Sequence, residues 1–271
     1  MTSKHDQNLI IIRGAGEMAS GVIKKLFMAG FDIVAFEKPS PTCIRREVCF
    51  AEAVYQKEIT VECVTAILVS SVNDALSQVK SRRIPILIDP DAECLKSFNP
   101  FFLIDARMMK SKNDTNLSMA PIVIGMGPGF TAGENCLAAI ETNRGFDLGR
   151  VLYEGSTQAH TGIPASVDGI SDARVLRASD DGVFISNHEI TDTVHVGQEI
   201  GKVGNTVVAC GTSGIIRGLI QNGIVVKRGQ KIGDIDPRGI REFCFRISDK
   251  ANAIGGGALE AVLALKSKNQ I

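Results

Sequence analysis

Tryptophan is absent from the 271 residues, tyrosine occurs twice, and aromatics make up 5%. A surface that stacks nucleic-acid bases is therefore not expected. No charge of one sign dominates: 30 Lys plus Arg balance 30 Asp plus Glu. That removes the electrostatic case for nucleic acid or an anionic membrane. No apolar run approaches the length of a transmembrane helix. The opening MTSKHDQN is short and polar and leads into a strand, so no signal peptide is expected. Seven cysteines, at 43, 49, 63, 94, 136, 210 and 244, include no CxxC pair. Reduced thiols in a cytoplasm are the expectation. Four histidines, at 5, 160, 188 and 195, show no HxxxH or HxH spacing, and no protein-only metal site is expected.

What is present begins at Leu9. An apolar run, Leu9 to Ile12, enters Gly14-Ala15-Gly16. Met18, Val22, Leu26 and Ala29 then fall at helical spacing, with Gly30 as a C-terminal cap. A second run, Phe31 to Phe36, ends at Glu37. Strand, glycine turn, helix, strand and acid in that order make a site for a nucleotide phosphate. Gly14 permits the tight turn, Gly16 lets a pyrophosphate approach bare backbone, and Ala19 takes the small position where helix and strand pack. The helix start, at Glu17, offers N–H groups and a partial positive charge. Glu37 would accept hydrogen bonds from ribose hydroxyls. The alternative is a degenerate domain that keeps the turn and binds nothing.

Further strands are expected at Ile59 to Val64, Ile84 to Ile88, Phe101 to Ile104 and Ile122 to Ile124, with a helix over Val72 to Lys80. Cys136 to Thr142 is ambiguous between helix and strand. The alternation predicts a Rossmann-like, mostly parallel sheet over residues 1–150. Glu37, Asp89, Asp105 and Gly125 end strands, and such ends line the ligand crevice of an open α/β sheet. Asp89 and Asp105 read equally as turn or helix caps. Gly125-Met126-Gly127-Pro128-Gly129-Phe130-Thr131 is a second glycine loop. Gly127, Gly129 and the Thr131 hydroxyl would form an anion nest, or the glycines serve a turn that needs positive φ.

The second half differs in texture. From Asp181 a pattern repeats every thirty-two residues: Gly182 with Gly214, Val194 with Val226, Gly197 with Gly229, Gln198 with Gln230, Ile200 with Ile232, Gly201 with Gly233. Two quasi-equivalent β units packed face to face are expected. This resembles the biotinyl/lipoyl barrel-sandwich hybrid, with a core over about 173–238 in a region spanning 151–271. The stretch Gly204 to Cys210, where that fold presents its modifiable lysine, has none, so no covalent biotin or lipoate is expected. Ala258 to Leu265 predicts a helix. Gly255-Gly256-Gly257 before it reads as a hinge, a close backbone approach, or a loop.

Longer motifs lie in order along the chain: RGAGEMASGV, PTCIRR at 41–46, AEAVY at 51–55, GPGFTAG at 127–133, IETNRG at 140–145, DLGR at 147–150, GDIDPR at 233–238 and ISDKA at 247–251. On these the chain resembles the YqeB-type accessory proteins of the selenium-dependent molybdenum hydroxylase system. The resemblance implies a cytoplasmic maturation factor, similar in theme to XdhC-type factors, that binds a nucleotide-bearing ligand such as a molybdenum cofactor dinucleotide. Its partners would be the hydroxylase or its cofactor-maturation proteins. Self-association into a homo-oligomer stays open. Under this reading Arg45 and Arg46 contact phosphate or pterin oxygens, or else form a solvated pair. Cys43 beside them would carry sulfur or selenium as a thiolate, or else be a buried small hydrophobe. The alternatives are an NAD-dependent oxidoreductase, with His160 as acid or base, and a non-catalytic scaffold with relic glycine loops.

Overall fold

The computed structural model describes residues 5–109, 113–159 and 166–268. The chain forms two units. The first contains Met1–Pro41, Phe50–Thr161 and Ile247–Ile271, and the second Thr42–Cys49 and Gly162–Arg246.

The sheet of the first unit has nine strands among the described residues: β1 Asp6–Arg13, β2 Asp32–Glu37, β3 Glu58–Val61, β4 Val64–Val69, β5 Ile84–Ile88, β6 Pro100–Asp105, β7 Ile122–Met126, β8 Ala138–Ile140 and β9 Val151–Leu152. Their spatial order is β9-β8-β7-β6-β1-β2-β5-β4-β3. The strands from β8 to β4 run parallel, and the two edges pair antiparallel. Helices α1 (Glu17–Met28), α2 (Val72–Lys80) and α3 (Asp249–Lys268) belong to this unit. On one face of the sheet Leu9, Ile11, Val34, Phe36, Leu103 and Val123 share a buried cluster. Ser71 caps α2 through its side chain and the Asp74 N–H.

Helices α1 and α3 meet at glycines. A Cβ on Gly21 would lie 2.3 Å from the Ala251 carbonyl oxygen, and one on Gly255 2.5 Å from that of Gly21. The triple glycine is thus mid-helix, not a hinge or a loop, and Gly255 and Gly257 serve close backbone approach, whereas a Cβ on Gly256 would meet nothing within 4 Å. The expected helix over Ala258 to Leu265 is the C-terminal part of α3. Cys136 to Thr142 resolves as strand β8.

Among the described residues the second unit has two four-stranded antiparallel sheets. The Gly182–Ile185 strand pairs with Val225–Val226, and Thr193–Val194 with Gly214–Leu219. Gly182↔Val226 and Val194↔Gly214 are counterparts under the thirty-two-residue repeat. The turns match too: the Gly197 N–H donates to Cys210 O and the Gly229 N–H to Ala178 O, both at 2.8 Å. Asp234 and Asp236 are buried and pair with Arg174, Arg217 and Arg238.

These observations correct the expected fold. The large sheet is mixed, with an antiparallel hairpin (β3–β4) and an antiparallel edge (β9) added to the parallel strands. The second unit is not the biotinyl/lipoyl barrel-sandwich hybrid. Its repeats do not each close a sheet and then pack, because strands are exchanged between them, and Thr42–Cys49 joins the unit from far upstream. The expected division at residue 150 is also corrected. Residues 151–161 and the C-terminal helix stay with the first unit, since β9 extends the large sheet and α3 packs on α1.

Candidate functional site

The first glycine loop leaves β1 between two neighbours: Arg13 is in register with Phe36 of β2 and Asp105 of β6. Strand order therefore reverses here, the position where open α/β sheets collect ligands. Gly14 has φ +96°, as a tight turn requires, and its N–H donates to Phe36 O at 2.7 Å. The Ala15 N–H donates to Glu37 Oε2 at 2.8 Å, and the Lys38 N–H to Glu37 Oε1 at 2.9 Å. Glu37 thus closes over a loop amide. It is not held open for a ribose, and a diphosphate would have to displace it. Gly16 is the extended N-cap of α1, and Glu17 lies in the first turn. Ala19 is fully buried. Ser20, which the sequence reading did not single out, is also fully buried: its hydroxyl donates to Gly16 O and accepts from the Phe50 N–H.

A charged network occupies the reversal point. Arg13, 1% exposed, donates to both oxygens of Asp114 at 3.0 Å, to Thr115 Oγ1 at 2.8 Å and to Pro90 O at 3.0 Å. Arg107 reaches Asp105 and Asp114. The Thr115 hydroxyl donates to Asp105 Oδ2 at 2.6 Å. Burial opposes ionisation of Asp114, yet hydrogen bonds and charge from Arg13 and Arg107 hold its carboxyl well below the usual range. Arg13 opens the motif RGAGEMASGV, but Arg107 and Asp114 lie in none of the quoted motifs, and only the fold brings the three together. Asp89 takes its plainer role, accepting from the Glu93 and Cys94 N–H groups as a cap. Asp105 caps the Arg107 N–H and also joins the network.

The second glycine loop follows β7. A Cβ on Gly125 would strike the Phe130 ring at 2.0 Å. Gly127 has φ +78° and its N–H donates to Ile140 O. Gly129 has φ +90° and its carbonyl accepts from Asn135 Nδ2. The Thr131 N–H donates to Asn135 Oδ1, and its hydroxyl pairs with Ser156 Oγ at 2.8 Å. With the Gly127 and Thr131 amides and the Thr131 hydroxyl so engaged, the glycines serve the turn.

Near the start of α3, Arg144 forms a two-bond pair with Asp249. Burial pushes the Lys250 amine down and Arg144 adds to that, against the opposing charges of Glu17, Glu141 and Asp249. The motif ISDKA contained this lysine, but its spacing carried no sign of the burial.

Arg45 and Arg46 belong to the second unit and are engaged there. Arg45, 4% exposed, donates to Phe243 O and Arg246 O. Arg46 donates to Leu219 O and Gln221 Oε1 and pairs with Glu189. They fasten the Thr42–Cys49 segment rather than form a solvated pair. Arg46 also lines a polar pocket of about 80 Å³ with His188 and Gln221, too small for a nucleotide. Cys43 is half-buried. Burial pushes the Cys136 and Cys210 thiols up to about 11. His160 lies outside the described residues. Among the described residues no three His, Cys, Asp or Glu side chains converge as a metal site. No helix among them is long and apolar enough to cross a membrane.

No family model matches the sequence. Over 257 residues the chain is 44% identical to a protein of Escherichia coli (strain K12) described as the uncharacterized protein YqeB. The match covers 95% of this chain and 48% of that protein, so the chain spans about half the length of this relative. Solved structures similar to it include an aspartoacylase family protein from Mesorhizobium loti, with 9% identity, 86% of each chain covered and TM-score 0.27. Another is a succinylglutamate desuccinylase/aspartoacylase from Rhodobacter sphaeroides, with 11% identity, 85% of each chain covered and TM-score 0.26. At that distance they carry no activity over to this chain.

Proposed function

From the premise that this chain is of the YqeB type along the half of that protein it spans, we propose that it is an accessory factor in the maturation of selenium-dependent molybdenum hydroxylases. It acts in the cytoplasm and holds a nucleotide-bearing ligand, a molybdenum cofactor dinucleotide, for the hydroxylase or its maturation proteins. The molybdenum and selenium part of this reading rests on the resemblance carried by the long ordered motifs. The binding part rests on one observation: two arginines, Arg13 and Arg107, converge where strand order reverses, beside the loop that enters α1. A ligand there would exchange its anionic groups for the carboxylates of Glu37 and Asp114.

The test is made in cells that produce a selenium-dependent molybdenum hydroxylase. Deleting the gene for this chain should lower hydroxylase activity and cofactor content while hydroxylase protein persists. Unchanged activity and content would remove the reading.

A further inference from the structure

Asp114 is held far more firmly than a half-exposed carboxylate requires. Its side chain is 55% exposed, whereas Arg13 is 1% and Arg107 18% exposed. Arg13 grips it through two parallel bonds of 3.0 Å, one to each oxygen, and Arg107 adds a third at 2.5 Å. A guanidinium fork facing two oxygens is the geometry that recognises carboxylates and phosphates. The other carboxylate of the network has a different standing. Asp105 is 2% exposed and tied to the Arg107 backbone and the Thr115 hydroxyl, so it is a fixed part of the wall. Without Asp114, Arg107 would keep Asp105, but the buried Arg13 guanidinium would keep only two neutral acceptors, Thr115 Oγ1 and Pro90 O. Such an uncompensated buried charge demands an anion.

We propose that Arg13 and Arg107 form an anion-binding site, and that Asp114 occupies it as an internal stand-in for the two-oxygen anionic edge of a small-molecule ligand, a carboxylate or a phosphate. Asp114 is the exchangeable member because it lies outermost and returns to water readily on release. Arg13 and Asp105 are its fixed frame, set by the last residues of adjacent strands. The site rests on the anion-binding part of the function proposed above and not on the molybdenum part.

The test uses the full chain with Asp114→Ala and Asp114→Asn, melted and titrated in inorganic phosphate, acetate or chloride at matched ionic strength. In chloride, Asp114→Ala should melt below the parent. Phosphate or acetate should restore it and bind about tenfold more tightly than to the parent. Asp114→Asn, which keeps the volume and one acceptor, should gain less. Restoration by phosphate alone assigns a phosphate, and by acetate alone a carboxylate. Adding Arg107→Ala should abolish the gain. A folded Asp114→Ala that responds to both anions as the parent does would overturn the site. So would a variant unfolded in all three salts, with Asp114→Asn at parental affinity. If the clamp fails while a pterin nucleotide is still recovered from the native protein, the maturation reading stands without it.

Discussion

Gly14 and Arg107 constrain each other at the reversal of strand order. Gly14 has positive φ, and a Cβ on it would lie 3.1 Å from the Arg107 Cα. Gly14→Ala therefore incurs both backbone strain and crowding. We expect a loss of about 2 kcal/mol, read as a lower denaturation midpoint. Asp234 and Asp236 supply a pH dependence in the second unit. Burial opposes their ionisation, but Lys231, Arg217 and Arg174 around Asp234, and Arg238 and Arg217 around Asp236, hold both carboxyls below the usual range. A carboxyl depressed in the folded state stabilises above its unfolded value, and that contribution is lost as pH falls through the folded one. The melting temperature should stay level from neutral pH to about 5 and fall steeply below about 4. Asp236→Asn should cost about 3 kcal/mol at neutral pH, leaving Arg217 short of a partner, and should flatten the acid limb.

At the scale of elements, α3 gives the sharpest contrast. Gly255 abuts the α1 backbone, whereas a Cβ on Gly256 meets nothing within 4 Å. Gly255→Ala should destabilise by about 1–3 kcal/mol through overpacking. Gly256→Ala should stabilise by up to about 1 kcal/mol, because glycine is a poor helix former. Equal effects from the two would contradict the described packing. This also explains what the sequence could and could not reveal. Periodic elements were readable: the Val72–Lys80 helix and the Ile84–Ile88 strand have the expected bounds. So was the Gly30 cap after α1, which has φ +96°. Helix α3 extends beyond the expected Ala258–Leu265 because three glycines argue locally against helix, and only the facing backbones of Gly21 and Gly149 give Gly255 and Gly257 their reason. The thirty-two-residue repeat was visible, but a period does not say whether a strand pairs inside its own repeat or with the other one.

At the scale of the whole molecule, the chain returns to each unit from distant segments, so neither unit is a continuous stretch. That is why a single boundary near residue 150 could not be right, and why no local signal places Arg45 and Arg46: their backbone partners Phe243, Arg246 and Leu219 lie 173 to 201 residues away in sequence. The candidate site was legible only in outline. The glycine turn and the acid at Glu37 have a local signature, but the carboxylate's closure over Ala15 and the Arg13–Asp114–Arg107 clamp depend on which strand ends meet. Those strand ends are proposed to hold an anionic, nucleotide-bearing ligand. Mass spectrometry of the small molecules released from the purified native protein tests this directly. A pterin-bearing nucleotide at near-stoichiometric amount, lost in a folded Arg107→Ala variant, is the predicted result. NAD in its place, or an empty folded protein that takes up no added nucleotide, would contradict it.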